Sequence, residues 1–244
     1  MAEFLLYGRT EYEEVIGFAE SLGQTARRIG SVRAEAFAVT VAGEAKLLSG
    51  RLHEARVDLD EGVRLHRSIG ATSGESLSLQ RLAELHLYEG DRVGAARLAD
   101  QSLPLARWSP IAKHLIQRVQ GTRIRAATDP LIARALVDEA WASLGLSDGC
   151  GFCAVMLAVP SAIACAAVGD IEAASGYVQI AEGSASLWQG TAWRGAVVEA
   201  KAHVARASGD DATAMQQFAD ASYLFTLAGQ PLDTERCRVA FSSR

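Results

Sequence analysis

The chain has 244 residues, of which 49% are hydrophobic and 22% charged, proportions typical of a folded protein with a substantial core. Its formal net charge of −5 argues against general affinity for nucleic acid, so we expect no direct nucleic-acid binding. The first residues lack the basic start and the long hydrophobic run of a secretory signal, and a cytoplasmic location is therefore expected.

Residues that terminate helices recur about every 20 positions along the chain, in two alternating series. Most are glycine, which ends helices because it adopts the left-handed conformation without steric cost. The segments between them are rich in Ala, Leu, Arg and Glu, which favour helix. The pattern therefore predicts pairs of helices that repeat about every 40 residues. The first series is Gly30, Gly70, Pro110, Gly149, Gly190 and Gly229, and the second is Gly50, Gly90, Asp129, Gly169 and Gly209.

In chain order, the spacing predicts a leading helix over 11–29, five helical hairpins, and a closing helix over 231–242. Because each hairpin buries its apolar face only against its neighbours, the whole chain, 1–244, is expected to form one all-α domain. We expect the hairpins to stack as a right-handed superhelix. The five repeats are predicted over 31–69, 71–109, 111–148, 150–189 and 191–228.

Small residues flank each predicted turn within a repeat. An alanine lies five residues after the glycine in SGRLHEA, EGDRVGA, VGDIEAA and SGDDATA, where it would let the second helix press against the first. In the middle repeat Asp129-Pro130 replaces the glycine. A small residue, a glycine-acid turn and then an alanine resemble the tetratricopeptide repeat. The small residues seven positions before each turn are Gly43, Ala83, Thr122, Ala162 and Ala202.

The C-terminal part of the sequence resembles a more specific family. The segments CGFC, AVGDIEAA, SLWQGTAW and LFTLAGQPLDTERCR are similar to the C-terminal repeat region of large, ATP-binding, MalT-like actinobacterial transcriptional regulators of the LuxR type. The resemblance implies a sensor and oligomerisation arm. The sequence contains neither a GxxxxGKS/T loop nor the family's DNA-binding module, so ATPase and DNA-binding activities are not carried over to these residues.

A basic stretch occupies the middle of this acidic chain. Residues 101–128 contain no acid but include Arg118 and Arg123. Because arginine binds carboxylate and phosphate bidentately, the stretch is a candidate for recognition of an anionic ligand or an acidic peptide. Alternatively, it is a solvated face balanced by acids on neighbouring repeats, such as Glu84, Asp138 and Glu139.

The segment 149–169 contains no charged residue and is the only stretch that needs testing as a membrane span. It is rich in alanine, it includes Pro160, and it lies on the repeat period. These features predict a buried central helix, and no membrane association is expected.

Cys150 and Cys153 form a CxxC motif at the predicted start of that helix, where the positive helix end favours the thiolate. The motif could be a redox-active pair, although the strand-helix-strand context of a thioredoxin is absent. It could also bind metal if a nearby histidine or a second protomer supplied further ligands. A third alternative is a pair of structural thiols. Cys165 lies too far along the same helix to join either kind of site.

The first helices of tetratricopeptide-like hairpins line the inner, concave face of the array. Counting six and ten residues back from each turn selects a set that would make a groove with polar ends, a cationic middle and an apolar part beside it. Such a groove suits a peptide or a small amphiphilic molecule. Together with Arg118 from the basic stretch, the predicted binding residues are Thr40, Glu44, Gln80, Glu84, Arg118, Arg123, Glu199 and His203.

No pattern in the sequence points to catalysis. There is no HExxH, GxSxG, phosphate-loop or dinucleotide motif, and the histidines are scattered over different repeats. We therefore predict a non-enzymatic module without a cofactor that binds a peptide, a partner protein or a small effector. Alternatives are a thiol-based or metal-based sensor at Cys150 and Cys153, and a scaffold that forms a homodimer.

Overall fold

The computed structural model describes residues 2–144 and 150–242. Over these two ranges the chain forms thirteen helices joined by turns, without a strand, which confirms the all-α prediction. The predicted boundary between the third and fourth repeats, near Gly149, lies outside the described residues. The helices are α1 (Ala2–Leu6), α2 (Tyr12–Arg28), α3 (Val32–Leu48), α4 (Leu52–Ser68), α5 (Thr72–Tyr88), α6 (Arg92–Arg107), α7 (Ala112–Ala126), α8 (Pro130–Ser143), α9 (Ala154–Ala167), α10 (Ile171–Ala185), α11 (Ala192–Ala207), α12 (Asp211–Leu227) and α13 (Pro231–Ser242).

The helices pack as hairpins whose first members stand side by side. α3 packs against α4, α5 against α6, α9 against α10, and α11 against α12, as the repeat spacing predicted. The first helices also contact one another in order, from α3 through α5, α7 and α9 to α11. These five helices therefore form an inner layer, and the second helices cover it on the other side.

Glycines with a positive φ angle end the helices at most of the predicted positions. Gly50 has a φ of 83°, in the left-handed region where a side chain would be strained. Its amide donates to the carbonyl of Leu47, which satisfies an acceptor at the end of α3. Asp91, Asp170 and Asp210 each follow such a glycine and cap the next helix by accepting a backbone amide. The other glycines in this conformation are Gly30, Gly70, Gly90, Gly169, Gly209 and Gly229.

In the middle repeat, an N-cap aspartate followed by a proline stands where the other repeats have a glycine followed by an aspartate. Residues counted back from Asp129 are therefore one position too late in this repeat. Asp129 accepts hydrogen bonds from the amides of Leu131 and Ile132, so it is the N-cap of α8. It thus corresponds to the capping aspartates of the other repeats, which come after the glycine. Thr128 occupies the position that glycine holds elsewhere, and positions counted from Asp129 are displaced by one.

The displacement changes which residue of α7 is the small contact residue. Seven positions before Thr128 lies Gly121, whereas counting from Asp129 had selected Thr122. A Cβ atom on Gly121 would lie only 2.0 Å from the carbonyl oxygen of Met156 in α9. The assignment of Thr122 as the small residue was therefore wrong, and Gly121 permits the close approach of α7 to α9.

The segment after α1 closes one end of the inner face. The carbonyl of Tyr7 accepts the amide of Gly190 at 3.1 Å, and the Tyr7 ring centroid lies 4.6 Å from that of Trp193. A Cβ atom on Gly190 would lie 2.4 Å from the Tyr7 oxygen. Gly190 therefore serves the docking of the N-terminal segment, and its φ is not in the left-handed region that the other turn glycines occupy.

Helix α13 lies across the opposite end of the inner face, near the hairpin turns. Its Asp233 accepts hydrogen bonds from the Tyr88 hydroxyl of α5, and its Arg236 bonds to Glu199 of α11. Just before α13, Gln230 donates to the hydroxyl of Tyr12 in α2. The two terminal segments thus enclose the inner face, where the sequence predicted a groove.

No helix among the described residues is both long and apolar enough to cross a bilayer. The most apolar of them, α9, contains Pro160 and buries most of its residues against neighbouring helices. This placement agrees with the prediction of a central buried helix.

Candidate functional site

A cavity of about 630 Å³ lies between the inner helices, α13 and Tyr7. One wall is apolar and comes mainly from α9, through Met156, Val159, Pro160 and Ile163. The volume falls in the range of about 300–1,000 Å³ that is typical of small-molecule sites. The cavity is thus large enough for a compact organic ligand with an apolar body.

The opposite wall carries a network of buried charges from α3, α5 and α7. The side chains of Glu44 and Arg81 are 0% and 1% exposed, and Arg81 Nε lies 2.7 Å from Glu44 Oε2. Arg81 also bonds to Glu84 at 2.7 Å, and Arg118 approaches Glu44 at 3.5 Å. Removing such charges from water costs several kcal/mol per ion, so each must be paired to stay buried.

A second group of charges connects α13 to α11 and α5. Arg236 donates to both carboxylate oxygens of Glu199, at 2.6 Å each, and also pairs with Asp233. Burial alone would raise the pKa of Glu199, but the pairing with Arg236 outweighs it, and the pKa is lowered. Tyr88, which donates to Asp233, has its pKa raised by burial and by that carboxylate. These groups hold α13 against the cavity.

Arg125 and Arg92 line the cavity and are less closely engaged with carboxylates than Arg81 and Arg236. Arg125 Nη1 lies 3.9 Å from Glu84 Oε1, at the limit of an ion pair, and its guanidinium lies 6.0 Å from the centroid of the Tyr88 ring. Arg92 donates to the backbone carbonyl of Ala127 at 2.7 Å. Asp129 also lines the cavity, but its carboxylate accepts backbone amides as the N-cap of α8. The two arginines therefore offer guanidinium groups to an incoming anion.

The structure brings four of the predicted binding residues into this cavity. Glu84, Arg118, Glu199 and His203 all line it. Burial lowers the pKa of His203, although Glu199 partly opposes the effect, so this imidazole is held in its neutral form near neutral pH. Glu44 lies behind the wall, where it pairs with Arg81.

Thr40 and Gln80 make polar contacts between neighbouring first helices. Thr40 Oγ1 is 3.1 Å from Ser78 Oγ, and Gln80 donates to Thr122 Oγ1 at 2.9 Å. Thr40 and Glu44 also line a smaller cavity of about 430 Å³ beside His66. These residues contribute to packing between repeats more directly than to the central cavity.

Arg123 was predicted on the inner face and lies elsewhere. It bonds to Asp100 of α6 at 2.8 Å and to Glu139 of α8 at 3.0 Å, and so it faces the second helices. The prediction was wrong because the count began at Asp129; counting from Thr128 selects Thr122, which lines the cavity. The Asp129-Pro130 pair could have shown the correct position of the turn, because an aspartate followed by a proline is typical of an N-cap and the first residue of a helix.

Other residues of the cavity were missed by the sequence analysis. Arg81 lies one position after a predicted inner residue, and Arg125 lies at the end of α7, so neither falls on the two counted positions. Tyr7 and Arg236 reach the cavity only because the terminal segments fold back onto the inner face. Helical spacing within the repeats carries no signal for that docking.

The CxxC motif lies outside the central cavity, at the start of α9. The Sγ atoms of Cys150 and Cys153 are 2.6 Å apart, and Nδ1 of His114 in α7 lies 3.4 Å from Cys153 Sγ. The other two cysteines, Cys165 and Cys237, are buried elsewhere, and burial raises the pKa of their thiols to about 11 and about 12. A histidine thus lies beside the cysteine pair and supplies one of the two further ligands that a zinc site would need.

The fold places the chain among all-α helical-repeat proteins. No protein-family model matches the chain, and no curated protein matches it. Among solved structures, the crystal structure of BtubC (BKLC) from P. vanneervenii is similar, with a TM-score of 0.56 and 16% sequence identity. The match covers 96% of this chain and 94% of that chain. At this identity, the similarity shows a common fold alone.

Proposed function

We propose that the protein is a non-enzymatic binding and regulatory module whose central cavity holds a small amphiphilic organic anion. The observation that carries this proposal is the pairing of an apolar α9 wall with two arginines that line the cavity, Arg92 and Arg125. An apolar body would lie against Met156 and Ile163, while a carboxylate or phosphate would bond to the guanidinium groups.

The docking of Tyr7 and α13 at the two ends of the inner face favours a small effector over the peptide or partner protein that the sequence also allowed. An extended peptide would need an open inner face, and Tyr7 and α13 occupy its two ends. The cavity volume of about 630 Å³ suits a single compact molecule. A peptide would have to displace α13 and break the Arg236–Glu199 pair.

The ligand would regulate the protein because it would bind one arrangement of the helices more tightly than another. A ligand that contacts α7, α9 and α13 together would favour the arrangement in which α13 is docked, and so bias whatever is attached to the module. We further propose that the module is the sensor arm of a cytoplasmic transcriptional regulator. This part of the proposal rests on the sequence resemblance alone.

Thermal denaturation with a series of alkyl and arylalkyl carboxylates, each matched by its uncharged primary amide, tests the cavity proposal. A ligand present at one hundred times its Kd stabilises the folded state by about 2.7 kcal/mol, so a fitting carboxylate should raise Tm measurably. Replacing Arg125 with Gln should weaken carboxylate binding about tenfold or more, since a charged hydrogen bond contributes about 1.5–3 kcal/mol. Ile163→Trp should weaken binding, because the larger ring would occupy part of the apolar wall against which the ligand body would lie.

Arg64→Gln is the matched control, because Arg64 is an exposed arginine of α4 whose partner is Glu61. It should leave carboxylate binding unchanged. The proposal fails if no member of the series stabilises the protein, or if carboxylate binding is unaffected by Arg125→Gln.

A further inference from the structure

Three side chains that ligate soft metals converge at the start of α9. His114 Nδ1, Cys150 Sγ and Cys153 Sγ all lie within 4.8 Å of one another. His114 lies in α7 and the two cysteines lie in the turn that leads into α9, and they meet because α7 packs directly against α9. We propose that these residues form a mononuclear site for a thiophilic divalent cation, with zinc the best fit. This site is separate from the central cavity, and it goes beyond the proposed function.

The distance from His114 to Cys153 suits a tetrahedral zinc ion, and the two thiols must move apart to bind it. Zinc with Zn–N and Zn–S bonds of about 2.0 and 2.3 Å places nitrogen and sulfur about 3.5 Å apart. The His114–Cys153 distance is 3.4 Å, close to that value. The two sulfurs, now 2.6 Å apart, would have to separate to about 3.8 Å, which rotation about the Cα–Cβ bonds can supply.

The backbone that carries the cysteines is held by hydrogen bonds from neighbouring helices. The Cys150 amide donates to Gln117 Oε1 of α7 at 3.1 Å. The Val155 amide donates to Ser184 Oγ at 2.9 Å, and Trp188 Nε1 donates to the Phe152 carbonyl at 2.9 Å. A metal site needs such supporting bonds to keep its ligands in position.

The surroundings also favour binding of a cation by thiolates. The cysteines lie at the N-terminal end of α9, where the helix dipole stabilises negative charge on sulfur. Both cysteines are buried, whereas His114 is exposed and gives an approach from solvent. Three protein ligands leave the fourth tetrahedral position for water or an external ligand. Binding would release the two thiol protons.

Titration of the reduced protein with Co²⁺ under anaerobic conditions tests the site, because cobalt takes the same geometry and reports its ligands by absorption. We expect one equivalent to bind, with thiolate-to-cobalt charge-transfer absorption in the near ultraviolet, and Zn²⁺ to displace it. The Cys150→Ser, Cys153→Ser double variant should lose this absorption. His114→Ala should weaken binding at least about tenfold, since even second-shell losses cost 10–100-fold.

His53→Ala is the matched control, because His53 is also exposed but lies on α4, away from the cysteines. Alkylation of the unmodified protein provides a readout that needs no variant: Zn²⁺ should protect Cys150 and Cys153 from iodoacetamide. The proposal is overturned if reduced protein binds no Co²⁺ with thiolate absorption, or if binding is unaffected by His114→Ala. Formation of a Cys150–Cys153 disulfide by protein that binds no metal when reduced would identify a redox pair instead.

Discussion

Helices α7 and α9 are neighbours in the inner layer and occupy the same position in successive repeats, yet their compositions differ sharply. α7 carries Lys113, Arg118, Arg123 and Arg125, whereas α9 has no charged residue. Arg118 is nevertheless buried beside Glu44, and Val159 and Ala162 of α9 are buried in an apolar cluster. One wall of the cavity is therefore stabilised by paired charges and the other by the hydrophobic effect.

The difference indicates which wall carries specificity. Apolar residues of similar size often stabilise a buried site as well as ion pairs do, or better, because buried charges lose their hydration. The charged wall of α3, α5 and α7 is thus a costly way to obtain stability. Specificity for the proposed anion would come from Arg125 at the end of α7, whose contact with Glu84 is long at 3.9 Å.

The largest loss of stability is expected when the charged wall is disrupted at Glu44. Replacing Glu44 with Gln removes the carboxylate that pairs with the buried guanidinium of Arg81 and lies beside Arg118. We expect a loss of about 3–5 kcal/mol in the free energy of unfolding, measured by urea denaturation. Glu61→Gln, which breaks an exposed pair with Arg64, should cost less than about 1 kcal/mol. Equal losses in both variants would contradict a buried network.

The next largest change in stability is expected at the close contact between α7 and α9. A Cβ atom on Gly121 would meet the carbonyl of Met156 at 2.0 Å, so Gly121→Ala must push α7 from α9, at a cost of about 1–3 kcal/mol. Gly176 of α10 has nothing within 4 Å of its Cβ position, and Gly176→Ala should stabilise the protein by about 0.4–1 kcal/mol. Thermal denaturation should therefore show Tm shifts of opposite sign. A rise in Tm for both would show that the helices are not in contact at Gly121.

The helical array could be predicted from the sequence because its determinants are local. Gly50 and Gly90 end helices through their own φ angles, and the helices between such residues follow from composition. Alanines such as Ala55 and Ala95 lie at fixed distances from the turns and are fully buried, as predicted. Each repeat carries these signals within about 40 residues, so no tertiary information is needed.

The site could be predicted only in part, because its remaining members depend on contacts distant in sequence. Counting from the turns found Glu84 and His203, and it failed at Arg123 where an N-cap stood in for the expected glycine. Arg236 reaches Glu199 through the docking of α13, which no repeat pattern encodes. His114 joins Cys153 only because α7 and α9 pack together.

The smallest effect concerns the pH dependence of the free energy of unfolding. Burial lowers the pKa of His203 and of His66 below the ordinary value of 6.5, so the unfolded chain binds more protons than the folded one just below that pH. Stability should therefore fall as pH drops through 6.5, before the paired carboxylates are protonated. Since Glu199 has a pKa lowered from 4.5, its contribution is lost only at more acidic pH. Urea denaturation at pH 7, 6 and 5 should show a shallower decline for His203→Gln than for His53→Gln, an exposed control. Parallel declines in the two variants would mean that His203 is not buried as a neutral imidazole.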